Sequence, residues 1–85
     1  MIDNREQSRF ENTENGALVF ARYSRDRDLL IIRHVEADPV LRGTGAADRL
    51  MREIVAQARA EATPVRPLCS YAAAWLRRNA PDIVV

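Results

Sequence analysis

The hydrophobic pattern of this chain changes period once, across Glu36-Ala37-Asp38-Pro39. Ahead of that point apolar residues gather in short runs parted by turn residues, the pattern of strands. Behind it they recur at steps of three and four, the pattern of one helix face. Residues 1–7 predict a frayed polar start. Ser8–Asn12 predicts a short strand around Phe10, and Asn15-Gly16 a tight turn, because both residue types tolerate positive φ. Ala17–Ala21, running on to Arg22-Tyr23, predicts a second strand; Ser24–Asp28 predicts a charged turn and Leu29–Val35 a third strand. The apolar run that opens the third strand, Leu29 to Ile32, predicts burial on both of its faces.

Beyond Pro39 a helix is expected from Ala46, with Ala47, Leu50, Met51, Ile54, Val55, Ala58 and Ala62 on its apolar face. Asp48/Arg52 and Arg49/Glu53 stand four apart on the other face and are spaced to pair. Thr63-Pro64 ends this helix, since proline disfavours helical geometry in the residue before it. Val65–Leu68 predicts a fourth strand. Ser70 is placed to cap a second helix, Tyr71–Asn79, which Ala80-Pro81 stops. On that helix Tyr71 and Trp75 share a face and predict core anchors, while Arg77-Arg78 lie near its last carbonyls. The tail Ile83-Val84-Val85 is expected to dock on the sheet or on a partner. The order is β-β-β-α-β-α, an α+β fold. Its mixed sheet would be an antiparallel meander plus one parallel pair made by a right-handed crossover.

Composition narrows the function classes. Eighty-five residues make one domain, 1–85. A net charge of +1 argues against a dedicated nucleic-acid binder. The longest apolar run, Tyr71–Leu76, is too short to cross a bilayer, and the polar N-terminus lacks a signal-peptide core, so a cytoplasmic protein is expected. Cys69 is the only cysteine and His34 the only histidine, which leaves no internal disulfide and no metal motif built on paired imidazoles or thiolates.

The chemistry concentrates at Arg42-Gly43-Thr44-Gly45-Ala46-Ala47. Two glycines around one residue allow a sharp turn and close backbone approach to a ligand. A helix opening directly after it points unpaired N–H groups and a partial positive charge forward, a site suited to phosphate oxygens. Cys69 falls where the fourth strand gives way to the second helix, so its thiol meets a helix N-terminus. His34, near the end of the third strand, is the residue type whose charge changes near neutral pH and can act as a general base. Glu36 could do so through a water, although a charged strand end in solvent needs no such role.

These stretches resemble a known family. Arg42-Gly43-Thr44-Gly45-Ala46-Ala47 is similar to the Gln/Arg-x-x-Gly-x-Gly/Ala signature of the GCN5-related N-acetyltransferases, and Val35–Leu41 to their approach to it, with Pro39 three residues before the Arg. Arg33-His34-Val35-Glu36 and Pro67-Leu68-Cys69-Ser70-Tyr71, with the short length, resemble the small YjdJ-type acetyltransferase-like proteins. The resemblance implies a minimal fold of that family and acetyl-coenzyme A as bound substrate, with no metal. Amides from Arg42 to Ala47 would hold the pyrophosphate, with the Arg42 guanidinium adding to a phosphate, and Val35, Glu36 and Ala37 would pair with pantetheine amides. The acetyl group would go to an unidentified amine, a small molecule or a protein. Cys69 would face the acetyl group, and His34 would take a proton from the amine. The chain lacks the helices that build an amine pocket in full-length acetyltransferases, which motivates an alternative, a non-catalytic acyl-CoA sensor or interaction module. A monomer or weak homodimer is expected, with no membrane partner.

Overall fold

A computed structural model describes residues 1–85. Five strands form one sheet in chain order: β1 Ile2–Asn4, β2 Arg9–Glu14, β3 Ala17–Asp26, β4 Leu29–Ala37 and β5 Val65–Pro67. The first four pair antiparallel, and β5 lies parallel to β4. The α-helices are α1, Ala46–Ala60, and α2, Ser70–Asn79; short 3-10 turns at Pro39–Leu41 and Pro81–Ile83 complete the chain. This is the expected α+β fold, a meander plus one parallel pair.

Both helices pack on one face of the sheet. Phe10, Val19, Ala21, Leu30, Ile32 and Val65 point from the strands toward Leu50, Met51 and Ile54 of α1 and toward Ala72 and Leu76 of α2, and all are buried. No polar residue is buried with them. The opposite face carries no helix. Leu29 and Ile31 are therefore only half-buried, against the expectation that β4 is covered on both sides. A run of apolar residues meant one strongly buried face and one partly open one.

The N-terminal segment also departs from expectation. Residues 1–7 were expected to fray, yet Ile2, Asp3 and Asn4 pair with Glu11, Phe10 and Arg9. Side chains hold them there. The Tyr23 hydroxyl donates to Asp3 at 2.5 Å, Asn4 donates to Glu11 at 3.0 Å, and the α-amine sits 3.1 Å from Glu53. These partners are distant in sequence and leave no local pattern.

The turns follow backbone chemistry. Asn15 and Gly16 both have positive φ, 52° and 76°, which suits the two-residue hairpin that joins Glu14 to Ala17. The expected five-residue charged turn shrinks to Arg27-Asp28, because Ser24, Arg25 and Asp26 continue β3 and pair with Ile31, Leu30 and Leu29. Arg25 is tied down by Glu61 at 3.2 Å and lies over the Tyr23 ring. Between Arg22 and Tyr23 the β3–β4 register slips: Tyr23 pairs with Ile32 and Arg22 with His34, leaving Arg33 as the extra residue of a bulge. The C-terminal tail docks on the sheet, where Val84 bridges Val65 and the Val85 amide donates to the Val65 carbonyl at 3.1 Å.

Candidate functional site

The site is assembled where β4 loses its neighbour. β5 pairs with β4 only from Leu30 to Ile32, and the last link is the Leu68 amide to the Ile32 carbonyl at 2.8 Å. Beyond Ile32 the strands part, so the edge of β4 from Arg33 to Ala37 has no strand beside it. The chain then turns over Pro39–Leu41, where Asp38 accepts from the Val40 amide at 3.0 Å, and enters the glycine loop.

Two φ values shape that loop, 77° at Gly43 and 86° at Gly45, both in the left-handed region where a side chain would be strained. A Cβ on Gly45 would also come within 3.0 Å of the Arg49 guanidinium, which a two-bonded contact to Glu14 (2.7 and 3.0 Å) fixes over the loop. That contact holds the Glu14 carboxyl below its usual range. The amides of Gly43 and Gly45 donate to nothing within the chain, and Ala46, Ala47 and Asp48, the first turn of α1, have no acceptor one turn back. The Arg42 and Thr44 amides are already engaged, to Pro39 and Leu41, and the Thr44 hydroxyl also donates to Leu41. Unspent donors therefore alternate with spent ones.

They face a cavity of about 280 Å³ lined by Ala37, Leu41, Arg42, Gly43, Gly45–Asp48 and Tyr71. A run of amides at a helix start, with the Arg42 guanidinium beside it, suits the phosphates of a nucleotide-like ligand. Asp48 is the one carboxylate on this wall. It is occupied: the Trp75 indole N–H donates to it at 2.8 Å and Arg52 at 3.0 Å, and these contacts, the indole first, hold its carboxyl below the usual range. Arg52 also lies over the Trp75 ring, so the trio fastens α2 to α1.

Of the residues singled out from sequence, Val35, Ala37, Ala47 and Cys69 all pack against the helix-covered core, on one side of the sheet. Cys69, and not Ser70, occupies the N-cap of α2; the helix begins one residue earlier than expected, and Ser70 is its first residue. His34 and Glu36 project from the other side. Their Cα partners Arg22 and Phe20 belong to the uncovered face, and the imidazole Nε2 lies 3.0 Å from the Glu36 carboxylate. The structure thus brings Cys69 and the cradle to one face and puts His34 on the reverse of the same strand.

The spacing of Tyr71 to Trp75 predicts two core anchors. Trp75 is buried, whereas Tyr71 is 40% exposed and lines the cavity. Burial first, then the charges of Asp48 and Cys69, push its phenol above the ordinary value. Helical spacing alone cannot separate the two rings; the position of Tyr71 just after Cys69 was the available signal. The expected Asp48/Arg52 pair forms, but Arg49 bonds Glu14 rather than Glu53, whose partners are Asn12 and the α-amine.

No curated protein matches the chain. The sequence profile of a family described as GCN5-related N-acetyl-transferase matches residues 9–83, from the start of β2 to the turn after α2. With that span matched, and with the fold and glycine loop described above, the chain belongs to the GCN5-related N-acetyltransferase family.

Proposed function

We propose that this chain binds acetyl-coenzyme A and passes the acetyl group to an amine. The observation that carries the reading is the row of unspent amides at Gly43, Gly45 and Ala46–Asp48 opening on a cavity beside the unpaired edge of β4. In this reading those amides and Arg42 hold the pyrophosphate. Backbone groups of Val35, Glu36 and Ala37 pair with the pantetheine arm as a strand would. The thioester then lies in the gap between β4 and β5, near Cys69.

Transfer requires an unprotonated amine. His34 takes the ammonium proton, and Glu36 fixes the ring and steadies the imidazolium. The amine nitrogen bonds to the carbonyl carbon, and a backbone N–H of Val35–Ala37 stabilises the oxyanion. Collapse breaks the C–S bond, and the departing thiolate takes the second proton from nitrogen. Cys69 faces the acetyl group in this direct transfer; a route in which its thiol first takes up the acetyl group would instead leave an acetyl mass on the intact protein, lost in Cys69→Ala. A sensor without turnover is the second reading, favoured by the uncovered sheet face on which no wall closes around an acceptor.

Titration with acetyl-coenzyme A tests the donor site. The Gly43 and Gly45 amide resonances should move most. At a hundredfold excess over the dissociation constant the fold should gain about 2.7 kcal/mol. Unmoved glycines would remove the donor reading. Moved glycines without turnover across an amine panel would select the sensor.

A further inference from the structure

The uncovered face of the sheet has a composition of its own. Phe20 and Ile31 lie half-buried at its centre and Leu68 is 57% exposed at its margin. Around them stand Arg22 on β3, Arg33 at the bulge of β4 and Arg66 on β5, all exposed and none paired with a carboxylate; Arg33 reaches only the Ser24 hydroxyl, at 3.1 Å. Register places them together. Arg22 is opposite His34, and Arg66 is beside Ile31. Of the acids on this face, Glu11 is held by Arg9 and Asn4 and Glu36 by His34, and Asp26 stands unpaired at the far end of β3. The result is an apolar strip flanked by three unmatched guanidinium groups, next to the imidazole that projects from this face.

We infer that this face receives the acceptor, and that the acceptor is a polypeptide segment whose reactive lysine is flanked by acidic residues and at least one apolar side chain. The inference rests on the acetyl-transfer reading above. The lysine amine would reach His34 and, through the gap beyond Ile32, a thioester lying along the β4 edge. Flanking carboxylates would meet Arg22, Arg33 and Arg66, and the apolar residue would cover Ile31 and Leu68, since Arg9 already lies over the Phe20 ring at 4.8 Å. Guanidinium groups grip carboxylates in a two-bonded fork, which gives orientation as well as attraction. A second copy fits poorly, because symmetric docking sets the same three unmatched arginines against each other with only Asp26, at the far end of β3, as an unpaired acid to meet them.

The test uses a short peptide with a central lysine between glutamates and a leucine. One control has glutamine for each glutamate, another has arginine, and a third probe is a single-stranded oligonucleotide. The acidic peptide should bind about tenfold tighter than the glutamine control at low salt, lose most of that margin at high salt, and move the amides of Ile31, Arg66 and Leu68. Arg22→Gln with Arg66→Gln should abolish the margin while the response of Gly43 and Gly45 to acetyl-coenzyme A persists. Equal binding of acidic and neutral peptides, preference for the basic peptide or the oligonucleotide, or a dimer that covers these strands would each overturn the inference. An acetyl-coenzyme A response without acidic preference removes this surface and leaves the donor site. Acidic preference without any response at Gly43 and Gly45 removes the donor reading, and with it the acceptor role.

Discussion

Asp48 stands where an anion site least tolerates it, in the first turn of the helix whose amides face the cavity. Two facts reconcile the charge with the position. An acid in a first turn is favoured by the helix field, and here both carboxylate oxygens are engaged by Trp75 and Arg52. The residue therefore serves the α1–α2 joint and presents its charge to a cation already in place. Because its carboxyl is held low in the fold, its contribution is fully present above the ordinary carboxylate range, near pH 4, and fades as pH falls through the lower folded value. Asp48→Asn should therefore reduce stability at about pH 7 and flatten its decline toward about pH 3. Urea unfolding followed by Trp75 fluorescence at both values would show it; equal acid slopes in the two proteins would refute the assignment. None of this was legible in the sequence beyond the Asp48/Arg52 spacing, because the indole partner lies twenty-seven residues away.

Among the elements, α1 shows how far local pattern reaches. Its start, its buried stripe of Leu50, Met51, Ile54, Val55 and Ala58, and its arrest before Pro64 all follow from period and proline. Its last turn adds what period cannot say. The Ala62 amide donates to Arg59 and the Thr63 amide to Ala58, a Schellman closure, and Ala62 takes φ 53°. That is a glycine position filled by alanine, and Ala62 is exposed rather than on the apolar stripe where its spacing had placed it. Ala62→Gly should stabilise the protein by about 1 kcal/mol, since a left-handed alanine costs about that much. For a domain of this size the thermal midpoint should rise by about 4–8 °C, read by calorimetry. No gain would mean that the extra chain entropy of glycine cancels the strain. β1 marks the opposite limit. Three residues carry too little pattern to announce a strand, and the contacts that order it come from Tyr23, Glu11 and Glu53.

For the molecule as a whole, the decisive arrangement is a two-layer fold with one sheet face left bare and a gap opening beside β4. The order of elements and the glycine loop were readable because each rests on neighbours in sequence. The division of the candidate residues between two faces was not, because it hangs on one irregular residue. Without the bulge at Arg33, strict alternation would turn His34 and Glu36 toward the helices and Val35 and Ala37 toward the bare face. This has a consequence for how such a chain can change. Position 33 should tolerate substitution and even loss: Arg33→Ala should shift stability by no more than about 0.5 kcal/mol. Deleting Arg33 would let His34 follow Ile32 directly and keep the Tyr23/Ile32 and Arg22/His34 pairs, so the imidazole and Glu36 would stay on the bare face. Deleting Val35 instead would set Glu36 or His34 opposite Ala21 under the helices and leave a product at least about 3 kcal/mol weaker or insoluble, by urea unfolding or soluble yield. A protein that unfolds on loss of Arg33, or one indifferent to loss of Val35, would refute this account of the two faces. In descent, then, the kink could be lost or regained at position 33 without moving the candidate residues between faces, while loss of a paired neighbour such as Val35 could not be absorbed so simply.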